Sequence, residues 1–128
     1  MAFESFWFIF VIFMRHGRAG KTLNMPSDHR RAVMVNLAIS LFKSSKVKTT
    51  LAKAKVVARY VEKLITRAKV KSIANTRFLA SKLNSDCVDS VYEVAEKFSD
   101  RKGGYTRVVK TWRRYGDSAE TAIIEFVL

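Results

Sequence analysis

The sequence predicts an α+β fold. It reads as a two-layer α/β domain of about four helices on a small mixed sheet, closed by a C-terminal antiparallel hairpin and preceded by an extended basic N-terminal arm. Three observations carry that prediction. Between His29 and Phe98 the apolar residues recur mostly three and four apart, the period of helices with one buried face. After Gly103-Gly104 two strand-like runs flank a turn-forming loop. From Arg15 to Pro26 the chain is basic, contains glycine and follows neither period.

Residues 1–13, MAFESFWFIFVIF, carry one charge, Glu4, and Phe6 to Met14 is an uninterrupted apolar run. A membrane-spanning helix needs about 20 such residues, so the run is too short. A secretory signal has its positive charge before the apolar region, whereas here the charge follows it. Three readings stay open: a strand or staple docked on the domain, a membrane-surface anchor, or translated sequence upstream of a true start at Met14. The abrupt change of composition at Met14 favours the third. So does the aggregation hazard of an exposed aromatic run.

Residues 14–28 form the arm. Arg15, Arg18, Lys21, Arg30 and Arg31, with His16 and His29, lie in RHGRAGKTLNMPSDHRR, where Asp28 is the only acid. Such a segment needs an external polyanion to order it, and nucleic-acid phosphates fit best. Gly20-Lys21-Thr22 has the ending of a phosphate-binding P-loop, but that motif needs glycine where Arg15 stands.

Residues 29–128 read as one globular domain. Pro26 marks a turn, and Ser27 or Asp28 is placed to cap a helix from about His29 to Phe42. Its predicted core stripe is Ala32, Val35, Ala38, Ile39 and Phe42. Arg30 and Arg31 fall in its first turn, where the helix dipole disfavours cations, which suggests an anion nearby. Lys46 to Thr50 alternates and reads as a strand. Thr50 can cap a second helix to about Lys69, with Val57, Val61, Leu64, Ile65 and Ala68 inside. Lys53, Lys55, Arg59, Lys63 and Arg67 crowd its other faces, as either a solvated surface or phosphate contacts.

Ser72 to Leu83 reads as a third helix. A fourth is capped by Ser85 or Asp86 and buries Val88, Val91, Tyr92, Ala95 and Phe98. Gly103-Gly104 closes the helical region. Tyr105 to Trp112 and Thr121 to Val127 are the hairpin strands, joined through Gly116-Asp117-Ser118.

Composition bounds the function. The chain has 128 residues, enough for one domain with a core, and is 48% hydrophobic, which argues against wholesale disorder. Lys and Arg number 24 against 11 acids, a formal charge of +13. That excess points to a nucleic acid or an anionic membrane rather than to an ordinary soluble enzyme. One cysteine, Cys87, excludes an intrachain disulfide and fits a reducing cytosol, where it reads as a packed residue. One Cys and two His cannot build a four-ligand zinc site. Ser27, Asp28 and His29 are sequence neighbours, not a catalytic triad, which is a matter of geometry.

A second basic constellation is denser. Arg101, Lys102, Arg107, Lys110, Arg113 and Arg114 span fourteen residues without an acid, interleaved with Tyr105, Trp112 and Tyr115. Cations fix a nucleic-acid backbone and aromatics stack on unpaired bases. Tyr105 and Trp112 have a second reading as core or cross-strand partners. Arg107 and Lys110 fall on opposite strand faces, so at least one is expected to be exposed.

Taken together, MRHGRAGKTLN (Met14 to Asn24), SDHRRA (Ser27 to Ala32), VKTTLAKAK (Val47 to Lys55), VEKLITRAK (Val61 to Lys69), RKGGYTRVVK (Arg101 to Lys110) and GDSAETAIIEFV (Gly116 to Val127) resemble the bacterial-type large ribosomal subunit protein L-seventeen family, in the family's order. The resemblance implies a non-enzymatic structural protein of the cytoplasmic ribosome. Such a protein binds large-subunit ribosomal RNA near the nascent-chain tunnel exit, beside neighbouring large-subunit proteins. It implies no cofactor, metal, small-molecule substrate or membrane. Carried over by position, Arg15, His16, Arg18, Lys21, His29, Arg30 and Arg31 become RNA-contact candidates, with Lys102 to Lys110 a second surface. The chain departs from the pattern in residues 1–13, in Met25 and Val35 at usually basic positions, and in lacking a longer tail.

Two other classes compete. A membrane-surface protein would insert residues 1–13 and lay the arm on anionic headgroups, so it would lose binding when they are removed. A DNA-binding module needs a base-reading recognition helix, for which the helix after Asp28 offers few residues.

Overall fold

In the computed structural model, which describes residues 20–127, the chain enters helix α1 (Ser27–Ser44) through Pro26, held extended at φ −52°, ψ 151°. Pro26 therefore occupies the cap position, and no side chain caps the helix. The expected cap from Ser27 or Asp28 is not formed, because both residues already lie inside the helix. Proline at a helix entrance sacrifices no intrahelical bond, and Asp28 offers its negative charge to the first turn. At the other end Ser45 turns left-handed (φ 60°), and its N–H bonds to the Leu41 carbonyl at 2.8 Å.

The buried face of α1 is Ala38, Leu41 and Phe42, with Met34, Val35, Leu37 and Ile39 partly covered. Ala32, expected in the stripe, is exposed. Apolar residues sit nearly all round α1, so spacing alone cannot select the stripe. The burial is concentrated in its second half.

Strand β1 (Lys46–Thr50) leads into helix α2 (Leu51–Ala68), the central element of the domain. Val57, Val61, Leu64, Ile65 and Ala68 are all buried, as the spacing predicts. Thr50 stands at the cap position of α2 but makes no side-chain cap bond. Helix α3 (Ile73–Lys82) is capped by Ser72, whose side chain accepts from the Asn75 N–H at 3.2 Å. Ser85–Cys87 form a 3-10 turn ahead of helix α4 (Val88–Lys97). Ser85 and Asp86 therefore do not cap α4, because the tighter turn takes them up and Cys87 stands at the helix start.

Strands β2 (Thr106–Arg113) and β3 (Glu120–Phe126) complete the sheet in the order β1-β3-β2. Both pairings are antiparallel, so the sheet is antiparallel throughout rather than mixed. The parallel-running pair, β1 and β2, never meets because β3 lies between them. The register pairs Lys46 with Glu125 on one side of β3 and Arg107 with Glu125 on the other. A bulge between Lys110 and Arg113 shifts the hairpin register.

Helices cover one face of the sheet. Val108, Ala122, Ile124 and Phe126 point into that layer. Phe126 lies 5.7 Å from Phe42 and 6.3 Å from Phe98, and Phe98 lies 5.2 Å from Tyr105. This aromatic group joins the first helix, the last helix and the hairpin. The expectations for residues 1–13, and for Arg15, His16 and Arg18, lie outside the described residues.

Candidate nucleic-acid interface

The arm enters the described region at Gly20 and Lys21, both exposed. Lys21 borders a depression shared with Lys55, Arg59 and Lys63 of α2, so the arm meets the domain over that helix. A turn follows, in which the Met25 N–H bonds to the Thr22 carbonyl at 3.2 Å. Leu23 and Asn24 have positive φ (54° and 52°). His29 and Arg31 are exposed, whereas Arg30 is half-buried and its Nη1 donates to the Thr22 carbonyl at 3.4 Å. Arg30 thus holds the turn against the helix start.

The second constellation divides in two. Arg101 is a clasp: its Nη1 donates to the Val127 carbonyl at 2.8 Å, and its own carbonyl accepts from Lys69 Nζ and from the Tyr105 hydroxyl. Tyr105 itself is 1% exposed and belongs to the core. The Lys69 ammonium, 4.7 Å above the Tyr105 ring, holds the phenol below its usual pKa range. Lys102, Arg107 and Lys110 are exposed. Arg107 and Lys110 both reach solvent despite opposite strand parity. Arg107 stands on the sheet face away from the helices, and Lys110 on an edge strand whose neighbouring side is open.

Arg113 and Arg114 behave differently. Arg113 lies 3.9 Å from Glu120, and Arg114 grips Asp117 through Nε (3.1 and 3.2 Å) and Nη2 (2.5 Å). The acid-free run is therefore closed by acids that follow it, brought back by the turn. Arg114 holds the Asp117 carboxyl below the usual range, helped by the Ala119 N–H. Trp112 is 87% exposed and Tyr115 fully so. Of the two readings of Tyr105 and Trp112, packing holds for the tyrosine and surface display for the tryptophan. Tyr105 precedes β2, and a bulge after Lys110 interrupts the strand's alternation around Trp112.

The described candidate site residues thus form two clusters, one around the α1 entrance and one along the hairpin and the loop before it. Lys46 and Lys48 of β1 share the open sheet face with Arg107, and Lys46 Nζ lies 3.1 Å from Glu125. Sequence spacing could not join these cations, because the β1–β3–β2 register that aligns them crosses more than half the chain. Among the described residues no group of three or more side chains is arranged to hold a metal ion. No described helix is long and apolar enough to cross a membrane.

Fold and surface define a class: a small, basic, two-layer α+β protein with exposed cations at the α1 entrance and along the hairpin. The family model for ribosomal protein L17 matches residues 33–127. The chain is 44% identical to the large ribosomal subunit protein bL17 of Nautilia profundicola over 89% of its own length and 98% of that protein's. It is 50% identical to the bL17 of Campylobacter concisus, with the same coverage of both chains. With the bL17 of Rickettsia bellii it shares 44% identity over 89% of this chain and 82% of the relative. The chain belongs to the ribosomal protein L17 family. That membership gives it a structural, non-enzymatic role in translation.

Proposed function

We propose that this protein binds and stabilises large-subunit ribosomal RNA near the exit of the nascent-chain tunnel of cytoplasmic ribosomes, beside neighbouring large-subunit proteins. Residues 14–28 act as an RNA-binding arm on the globular domain formed by residues 29–128. Arg15, His16, Arg18, Lys21, His29, Arg30 and Arg31 supply the arm's contacts. Arg101, Lys102, Arg107, Lys110, Arg113 and Arg114 supply those of the hairpin side. Phosphate neutralisation provides the affinity, and Trp112 and Tyr115 offer faces for unpaired bases.

The observation that carries this reading is the uncompensated charge. Of the candidate cations among the described residues, only Arg113 and Arg114 meet a carboxylate within 4.0 Å. The family membership supplies the partner class, and the tunnel-exit placement rests on the resemblance of the motifs.

The test is crosslinking of the full chain in salt-washed large subunits, followed by mass spectrometry of the RNA-linked peptides. Crosslinks from the arm and from residues 101–114 are the expected result. A chain that washes off the subunit, or one that remains without an RNA crosslink, overturns the proposal.

A further inference from the structure

Helix α2 carries a ridge that the proposed contacts do not use. Lys55, Arg59, Lys63 and Arg67 recur every fourth residue, so they form one ridge inclined to the helix axis. At a rise of about 1.5 Å per residue the ridge is about 18 Å long. All four side chains are exposed, and none takes part in the salt bridges formed among the described residues. Like charges at this spacing repel and weaken the helix that carries them. The pattern is stabilised once an anion lies along it.

The surroundings favour one kind of anion. Arg59, Lys63 and Arg67 line a groove that Gly103 and Tyr105 also border. A Cβ at Gly103 would meet nothing within 4 Å, so this rim is open. Glu62, the carboxylate in the groove, accepts from the Thr106 hydroxyl at 3.0 Å. Arg67 is pre-oriented. Its Nε donates to Asn75 Oδ1 at 3.2 Å and its guanidinium lies 4.5 Å over the Phe78 ring. At its other end the ridge continues into Lys21 through their shared depression.

Among the described residues no aromatic face is offered to a base beside this ridge. Tyr60 donates its hydroxyl to the Lys82 carbonyl, Phe78 lies under Arg67, and Tyr105 is buried. A rigid, inclined row of cations without stacking groups suits a phosphate backbone better than splayed bases.

We infer that the Lys55–Arg59–Lys63–Arg67 ridge, continued by Lys21, is a track for the phosphate backbone of one strand of an RNA duplex. It is read without regard to sequence. The inference rests on the RNA-binding function proposed above and adds a rigid surface of the domain to the arm.

The test uses the full chain and a 20-base-pair RNA duplex of arbitrary sequence, with binding measured across a salt series. Four proteins are compared: the unmodified chain, K55Q/R59Q/K63Q/R67Q, a charge-matched control K43Q/R77Q/K82Q/K97Q, and an arm variant R15Q/R18Q that leaves Lys21 in place. The ridge variant is expected to lose about 3 from the log–log salt slope, at roughly 0.7–0.9 per phosphate contact. The control is expected to keep the unmodified slope. Where replacing Arg67 lowers the melting temperature, K55Q/R59Q/K63Q retains the Asn75 and Phe78 contacts and should lose about 2.

An unchanged slope in the ridge variants, or an equal loss in the control, overturns the track. The arm variant's slope and the subunit crosslinks then judge the proposed function separately. The same ridge-dependent slope on single-stranded polyuridine overturns the assignment to a duplex.

Discussion

Cys87 is the residue whose environment most limits its chemistry. It is 1% exposed, and burial pushes its thiol pKa up, with Lys43 opposing more weakly. The thiolate is the reactive form. In native protein, 5,5′-dithiobis(2-nitrobenzoate) should leave Cys87 unlabelled for as long as the fold persists, and denaturant should release one equivalent. Rapid native labelling would contradict that placement. Asp117 responds to pH in the opposite sense. Arg114, first, and the Ala119 N–H hold its folded pKa below the ordinary value of about 3.9. Its contribution to the turn is therefore complete above the unfolded pKa and disappears as pH falls through the lower folded one. In a carboxyl NMR titration Asp117 should titrate below free aspartate, and R114Q should move it back toward the ordinary range. The Ala119 bond retains part of the shift.

At the scale of elements, α2 was the most legible part of the sequence. Its five predicted core positions are all buried because one face is apolar and the rest is charged. Ile65 sits at 0% exposure in that face. I65A should cost about 2–5 kcal/mol, read as a lower denaturation midpoint with an unchanged slope. Helix α1 was harder to read, since its apolar residues point in every direction and its buried face depends on what packs there. The hairpin was legible as a hairpin, but the fates of its aromatics were not. A single inserted residue between Lys110 and Arg113 decides which side chains face out, and local spacing does not show it. Trp112 and Tyr115 consequently project from the domain. W112A/Y115A should leave the melting temperature nearly unchanged. It should also lower retention of the chain in washed subunits, which quantitative mass spectrometry would report.

For the whole molecule, a net charge of +13 was visible at once, but its distribution was not. Arg113 and Arg114 lie in a run without acids, yet the turn after them brings back Glu120 and Asp117. Other cations become neighbours only through folding, as Lys21 does with α2 and as Lys46 does with Arg107 across β3. If 6–10 phosphates are contacted, affinity for ribosomal RNA should fall roughly 10³–10⁵-fold between 50 and 200 mM salt. Filter binding over that range checks this, and a flat response would sink the electrostatic account.

The strand order has a consequence for biogenesis. Of the three described strands, β3, the centre of the sheet, is translated last and β1 first. While a ribosome is making this chain, Lys46–Thr50 waits for a partner until residues 120–126 have emerged. The helices between them can form sooner from local contacts, whereas the sheet closes in one late, long-range step. Until then the nascent chain exposes the apolar seats of Ile124 and Phe126. A newly made copy of this protein thus passes through a period with an open apolar layer, and that period ends once residues 120–126 can pair.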